Sequence, residues 1–271
     1  MASTSETGHD IDITNSEAAI SIAEEMGSEY QPPVPELAIA ILIPQVKAAA
    51  LAQTAVNEAK RPWETATNER ENLYEGLKAL STRIWGTISI LRIPQNTKDL
   101  VEAIHKKLQG KWGKQAVVEE ENDDTPAERS ASQLSFVSMA KNFEDLIENL
   151  KLIPEYIPNE DDKKITTLET RLTAMKALNK NIPKLQVALN NARNARNKLY
   201  YTEVTGLIDT MKGVKGYFIT LGTRGKHPAY VAMNRLKFTT PPVDKNKAEE
   251  KRKKAAAKEK KIAAKVKPPT S

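Results

Sequence analysis

The sequence has no cysteine and only 3 histidines in 271 residues. Without cysteine there is no disulfide framework, no thiolate zinc site, no iron–sulfur cluster and no thiol nucleophile. So few histidines leave little for multi-histidine metal chemistry. Aromatic residues are scarce at 5%. Long apolar runs are missing too. The longest, Leu37 to Ile43, is seven residues, against the roughly 20 that span a bilayer. No transmembrane helix and no stable membrane insertion are expected. The N-terminus has no basic, apolar leader, so a secretory signal is not expected and the cytoplasm is the default location.

What charge there is lies unevenly. Residues 1–37 hold eight acids and no Lys or Arg, a net −8. Residues 242–271 hold eleven Lys and Arg against four acids, a net +7. The stretch between them keeps 30 basic and 23 acidic residues, so the whole comes to +6. Such asymmetry suggests charged tails on a separate body. The reading is an acidic disordered arm over 1–35, a helical body over 36–240 and a Lys/Ala-rich basic tail over 241–271. Within the arm, Ala19, Ile22, Ala23 and Met26 share one face of a short helix, Ser16 to Met26. The polar composition there favours a solvated tail.

The body reads as all-α: an elongated bundle of about six or seven helices with coiled-coil-like stripes. Leu73, Leu77, Leu80, Ile84, Ile88 and Leu91 recur at steps of three and four, one helix face. Pro62 predicts a break or kink near Arg61, and Pro94 ends the run. Asn96 or Thr97 then caps a helix over 98–108, closed by Gly110. Phe136, Ala140, Phe143, Ile147 and Leu150 mark another helix, ended by Pro154 and Pro158. Ile165, Leu168, Leu172, Met175, Leu178, Ile182, Leu185 and Leu189 continue the periodicity. Pro183, with Asn179 or Asn181 as cap, predicts a new helix running from about 183 to 221. Gly222 and Gly225 close it, and a short helix follows from Pro228 to Lys237. Strand signals are nearly absent.

Two segments match: Asn68-Glu-Arg70-Glu-Asn-Leu73-Tyr74 and Asn194-Ala-Arg196-Asn-Lys-Leu199-Tyr200. Both are N-x-R-x-x-L-Y, 126 residues apart. Each is followed by an apolar helix, a break and a short helix, with Val101 corresponding to Val231. Two pseudo-repeated units, 36–112 and 130–240, would then be joined by an acidic linker over 113–129. Arg70 and Tyr74, like Arg196 and Tyr200, stand four apart and share a helix face. Structural Arg–Tyr pairing is the plainer meaning, a matched pair of ligand sites the other.

Chemistry-bearing motifs are few. Glu102-Ala-Ile-His105 has the Glu-x-x-His spacing of di-iron bundles, but no second copy exists. A surface histidine explains it. Gly222-Thr-Arg-Gly225-Lys226-His227-Pro228 lacks P-loop spacing and reads as a helix C-cap. No nucleophile elbow, zincin or Rossmann pattern occurs. Trp63, Trp85 and Trp112 read as packing residues, Trp112 with an exposed alternative. No catalytic residue, metal, cofactor or small-molecule substrate is expected.

The strongest compositional feature is the C-terminal tail, with Lys251, Arg252, Lys253, Lys254, Lys258, Lys260, Lys261, Lys265 and Lys267 interleaved with alanine. It resembles the Lys/Ala/Pro tails of linker-histone-like and bacterial nucleoid proteins. That likeness is compositional, over about 20 residues. It implies phosphate binding by counterion release, without sequence readout. A solubilising tail is the alternative. Three functions follow. The first is a non-enzymatic helical interaction or scaffold protein, with a protein partner or self-association. The second is a nucleic-acid-binding accessory acting through the tail. The third is a membrane-active bundle using Leu37 to Leu51, where Lys47 is the only charge.

Overall fold

In a computed structural model the described residues are all-α, 83% of them helical and none in a strand. The structure describes residues 7–110, 134–221 and 228–238. The helices are α1 (Thr7–Glu25), α2 (Ile39–Tyr74), α3 (Leu77–Ile90), α4 (Gln95–Gln109), α5 (Phe136–Lys151), α6 (Ile165–Tyr201), α7 (Leu207–Thr220) and α8 (Pro228–Arg235). Short 3-10 turns at Pro35–Leu37 and Asp161–Lys163 lead into α2 and α6.

The chain divides into two units that interleave in sequence. One holds residues 1–54 and 193–271, the other 55–192. This corrects the expected halves, 36–112 and 130–240. Both boundaries fall inside helices, at Thr54 in α2 and Arg193 in α6. No loop or composition shift marks them, so a sequence scan for linkers passes over them. The expected acidic linker, 113–129, lies outside the described residues.

The N-terminal arm is a second correction. Residues 7–25 are helical rather than a solvated coil. Ala19 and Ala23 are fully buried, with Ile20 beside them. They join Leu42, Val46, Tyr200, Leu207, Met211, Val214, Phe218 and Met233 in the core of the first unit. Alanine at the contact lets helices approach closely, so this small stripe docks α1 despite its charge.

In the second unit, α3, α4 and α5 bury Leu77, Ile84, Ile88, Val101, Leu108, Phe143 and Leu150 with Leu168 and Met175 of α6. The stripes read from the sequence on α3 and α5 are the buried ones. The breaks differ. Neither Pro62 nor Pro183 ends its helix; α2 and α6 run through them. The chain turns instead at Gly76, whose φ of 71° is left-handed. The expected 183–221 helix is likewise interrupted after Tyr201, where Val204 also takes a φ of 71°. The helix expected over 98–108 begins earlier, at Gln95.

The two halves of the sequence, α1 to α4 and α5 to α8, repeat one element order. His9, Ala19, Ile20 and Ala23 of α1 correspond to Phe136, Leu146, Ile147 and Leu150 of α5, each 127 residues later. Leu42, Val46 and Ala49 of α2 correspond to Leu168, Leu172 and Met175 of α6, each 126 later and all buried. Leu77, Leu80, Ser81, Ile84 and Ile88 of α3 match Leu207, Thr210, Met211, Val214 and Phe218 of α7, each 130 later and all buried. The step from 126 to 130 falls at the longer turn before α7. The proposed Val101–Val231 match does not survive: Val101 is buried and Val231 exposed, and Met233 fills the buried position on α8.

Candidate functional site

The residues singled out by the repeat sit at matched places. In the second unit, the Tyr74 hydroxyl donates to the Phe136 carbonyl at 2.7 Å and its ring meets Phe136 edge-on. The Arg70 guanidinium lies 4.1 Å over the Phe136 ring, a cation–π contact. Asn179 Nδ2 of α6 donates to the Tyr74 hydroxyl at 2.7 Å. Burial raises the Tyr74 pKa, with the Asn179 bond and the Arg70 charge pulling the other way.

In the first unit, the Tyr200 hydroxyl donates to the His9 carbonyl at 3.3 Å, and His9 meets Tyr200 edge-on. His9 thus stands where Phe136 stands in the other unit. Its Nε2 is 3.0 Å from the Tyr201 hydroxyl. Arg196 Nη1 donates to Gln53 Oε1 at 3.2 Å, and Gln53 matches Asn179. Burial raises the Tyr200 pKa; Arg196 opposes this, while Asp12, Asp10 and Tyr201 add to it. The chemistry available at both places is interhelical: each Arg–Tyr pair ties the end of a long helix to the start of a shorter one.

A second matched pair escaped the sequence reading. Tyr30 donates to the Leu37 carbonyl at 2.7 Å, and Tyr156 donates to the Lys163 carbonyl at 2.9 Å. Each phenol spans seven residues and pins the turn that starts a long helix. Burial pushes both up to about 12, helped by Tyr217 at Tyr30 and by Glu160 and Asp162 at Tyr156. The signal was present. Tyr30-Gln-Pro32 and Tyr156-Ile-Pro158 are both Tyr-x-Pro at a spacing of 126, the spacing of the N-x-R-x-x-L-Y pair.

His105 is half-buried rather than a free surface residue. Its Nδ1 lies 3.2 Å from the Ser81 hydroxyl, and its ring stacks beside Trp85. Ser81 donates to the Lys78 carbonyl and accepts from Gln109, so the hydroxyl is held inside a packing network. Glu102 pairs with Lys106 at 2.8 Å. Among the described residues, no three His, Asp or Glu are placed to hold a metal ion.

The surface carries two further features. Within the second unit, an open groove runs along α6, lined by Thr166, Thr170, Thr173, Ala174 and Ala177, with Leu73 of α2 at its side. Arg171 reaches past it to donate to the Leu73 and Glu75 carbonyls at the end of α2. Within the first unit, α2 is apolar on both sides. Leu42, Val46, Ala49 and Gln53 face the core, yet Leu51 opposite is 63% exposed, and Ile41 and Ile43 on the two flanks are 52% and 47% exposed.

By length and composition alone, this stretch of helix also passes for one that crosses a membrane. Its most apolar 18 residues have a mean hydropathy of 1.5 and are only 28% buried. The seven-residue run weighed in the sequence understated it, because Pro44, Gln45 and Lys47 interrupt the run without breaking the helix.

The nine basic residues of the tail, Lys251 to Lys267, lie outside the described residues, as do Trp112 and the 222–227 part of the glycine turn. No family model matches the chain, and neither a curated protein nor a solved structure shows significant similarity to it.

Proposed function

We propose that the chain is a non-enzymatic helical interaction protein that works through the outer face of α2 in its first unit. The observation that supports this reading is the exposure of Ile41, Ile43 and Leu51 on a helix whose other side is already in the core. A surface helix ordinarily sets polar residues opposite its buried stripe. The repeat supplies an internal comparison. The α6 positions matching Ala40, Ile43, Pro44 and Leu51 are Thr166, Glu169, Thr170 and Ala177, three of the four polar. Three of these four apolar positions are therefore polar in the other unit, as expected if the α2 face docks.

The test is proximity labelling with the full chain and with an Ile43→Gln/Leu51→Gln variant. The expected result is a set of labelled neighbours that the variant loses. Identical neighbour sets, or turnover of a metabolite abolished by a single body substitution, would overturn the reading.

The Lys/Ala-rich tail favours a second activity, sequence-independent nucleic-acid binding. Nine of the seventeen residues from Lys251 to Lys267 are basic. Full-length protein should bind DNA or RNA with an affinity that falls steeply with salt. A chain ending at residue 241 should lose that binding; equal binding by both would exclude the tail.

A further inference from the structure

We infer that the outer face of α2 docks on an anionic lipid surface, lying in the interface without crossing it. This rests on the proposed role of that face and names what it meets.

The face has a definite chemistry. Ala40, Pro44, Lys47 and Leu51 fall on the side of α2 opposite Leu42, Val46, Ala49 and Gln53, with Ile43 at its edge. Between Leu37 and Asn57, Lys47 is the only charged residue. It sits near the middle of the face in both directions. A partner must therefore cover four apolar side chains and receive one ammonium at their centre.

A bilayer interface meets both demands. An amphipathic helix beds its apolar side chains about 5–10 Å into the headgroup boundary. A lysine among them runs its aliphatic stem along the acyl chains and places its ammonium among the lipid phosphates. A second copy of the chain meets them poorly. Two such faces paired about their centres would bring Lys47 against Lys47, like charges in a water-excluded contact.

The α2 face also has an electrostatic helper. The sequence after α8 carries Lys251 to Lys267. A polybasic segment draws a protein toward anionic lipid by about 1 kcal/mol per Lys or Arg near the surface, adding to an apolar insertion. The core stripe argues for an interfacial rather than a spanning helix. Leu42, Val46 and Ala49 pack with Tyr200, Leu207 and Met211, and spanning would strip that core apart.

The experiment is vesicle sedimentation of the full chain, using phosphatidylglycerol–phosphatidylcholine vesicles and pure phosphatidylcholine vesicles. The expected result is binding to the anionic vesicles that weakens at least tenfold in Ile43→Gln/Leu51→Gln. Part of the wild-type binding should persist at 0.5 M salt, because the apolar contact is not screened. A Val187→Gln variant, altered at an exposed apolar residue elsewhere, should bind as wild type does. Circular dichroism verifies that each variant keeps its helix.

Absence of binding to anionic vesicles overturns the inference. So does binding that the double substitution leaves unchanged, since the tail alone then carries it. Sedimentation equilibrium separates the remaining outcomes. A wild-type dimer that Ile43→Gln/Leu51→Gln splits means that a second copy covers the face; the interaction reading then stands and the lipid assignment falls. If vesicle binding, assembly and labelled neighbours are all unmoved by the substitution, both fall.

Discussion

Tyr30 and Tyr156 show how single side chains start the two long helices. Each hydroxyl closes a seven-residue loop onto a backbone carbonyl, holding the 3-10 turn from which α2 or α6 departs. Tyr30→Phe and Tyr156→Phe should each destabilise the protein by about 1–2 kcal/mol, the value of a buried hydrogen bond whose acceptor loses its partner. Urea unfolding at neutral pH measures this. The same phenols set an alkaline limit. Folding raises both from the model-compound value of 10.0 to about 12. The fold therefore favours the neutral form, and the stability so gained is present below pH 10 and lost as pH rises toward 12. Over that window the urea midpoint of the wild type should fall more steeply than that of the double Phe variant. Equal slopes would place the alkaline sensitivity elsewhere. Arg70 with Tyr74 and Arg196 with Tyr200 were legible as paired positions because a seven-residue pattern with four matching letters repeats. Their partners Gln53, His9, Phe136 and Asn179 were not, because they are brought in from helices remote in sequence.

Among the elements, periodicity was legible and interruption was not. Leu77, Leu80, Ile84 and Ile88 form the buried face of α3 as their spacing predicts. Yet Leu73 and Leu77 keep a step of four across the turn at Gly76, so the stripe conceals the break. The prolines mislead in the other direction. Pro62 and Pro183 signal helix ends, but the surrounding turns of α2 and α6 hold the helix through them. Stability should respond accordingly. Val204 holds a left-handed φ of 71° with its side chain 78% exposed. Since a β-branched residue is strained there, Val204→Gly should stabilise by about 1 kcal/mol. The opposite is expected two residues on. A Cβ at Gly206 would lie 2.7 Å from Thr202 and Tyr200 backbone atoms. Gly206→Ala should therefore destabilise by roughly 2 kcal/mol or more, as forced overpacking does. Thermal or urea midpoints of these two variants decide both points.

For the molecule as a whole, the charge pattern suggested a body between two tails, and only part of that survives. The acidic N-terminal stretch supplies α1 to the core, and its alanines carry the contact where composition hid it. Removing residues 1–26 should therefore abolish cooperative unfolding of the first unit, whereas removing 242–271 should leave the thermal midpoint within about 1 °C. Calorimetry on both truncations tests the difference. The interleaved division has a consequence for synthesis. Residues 55–192 are contiguous, so that unit is complete as soon as it has left the ribosome. The first unit is not. Residues 7–54 emerge early, and their core partners Tyr200, Leu207, Met211 and Phe218 arrive more than 138 residues later. At about 5–20 residues per second, α1 and the apolar start of α2 wait roughly 7–28 s for them. During that interval Leu42, Val46, Ile41, Ile43 and Leu51 are all without cover. A chaperone or a nearby lipid surface that shields apolar segments would meet its greatest demand in that interval, before the protein is whole.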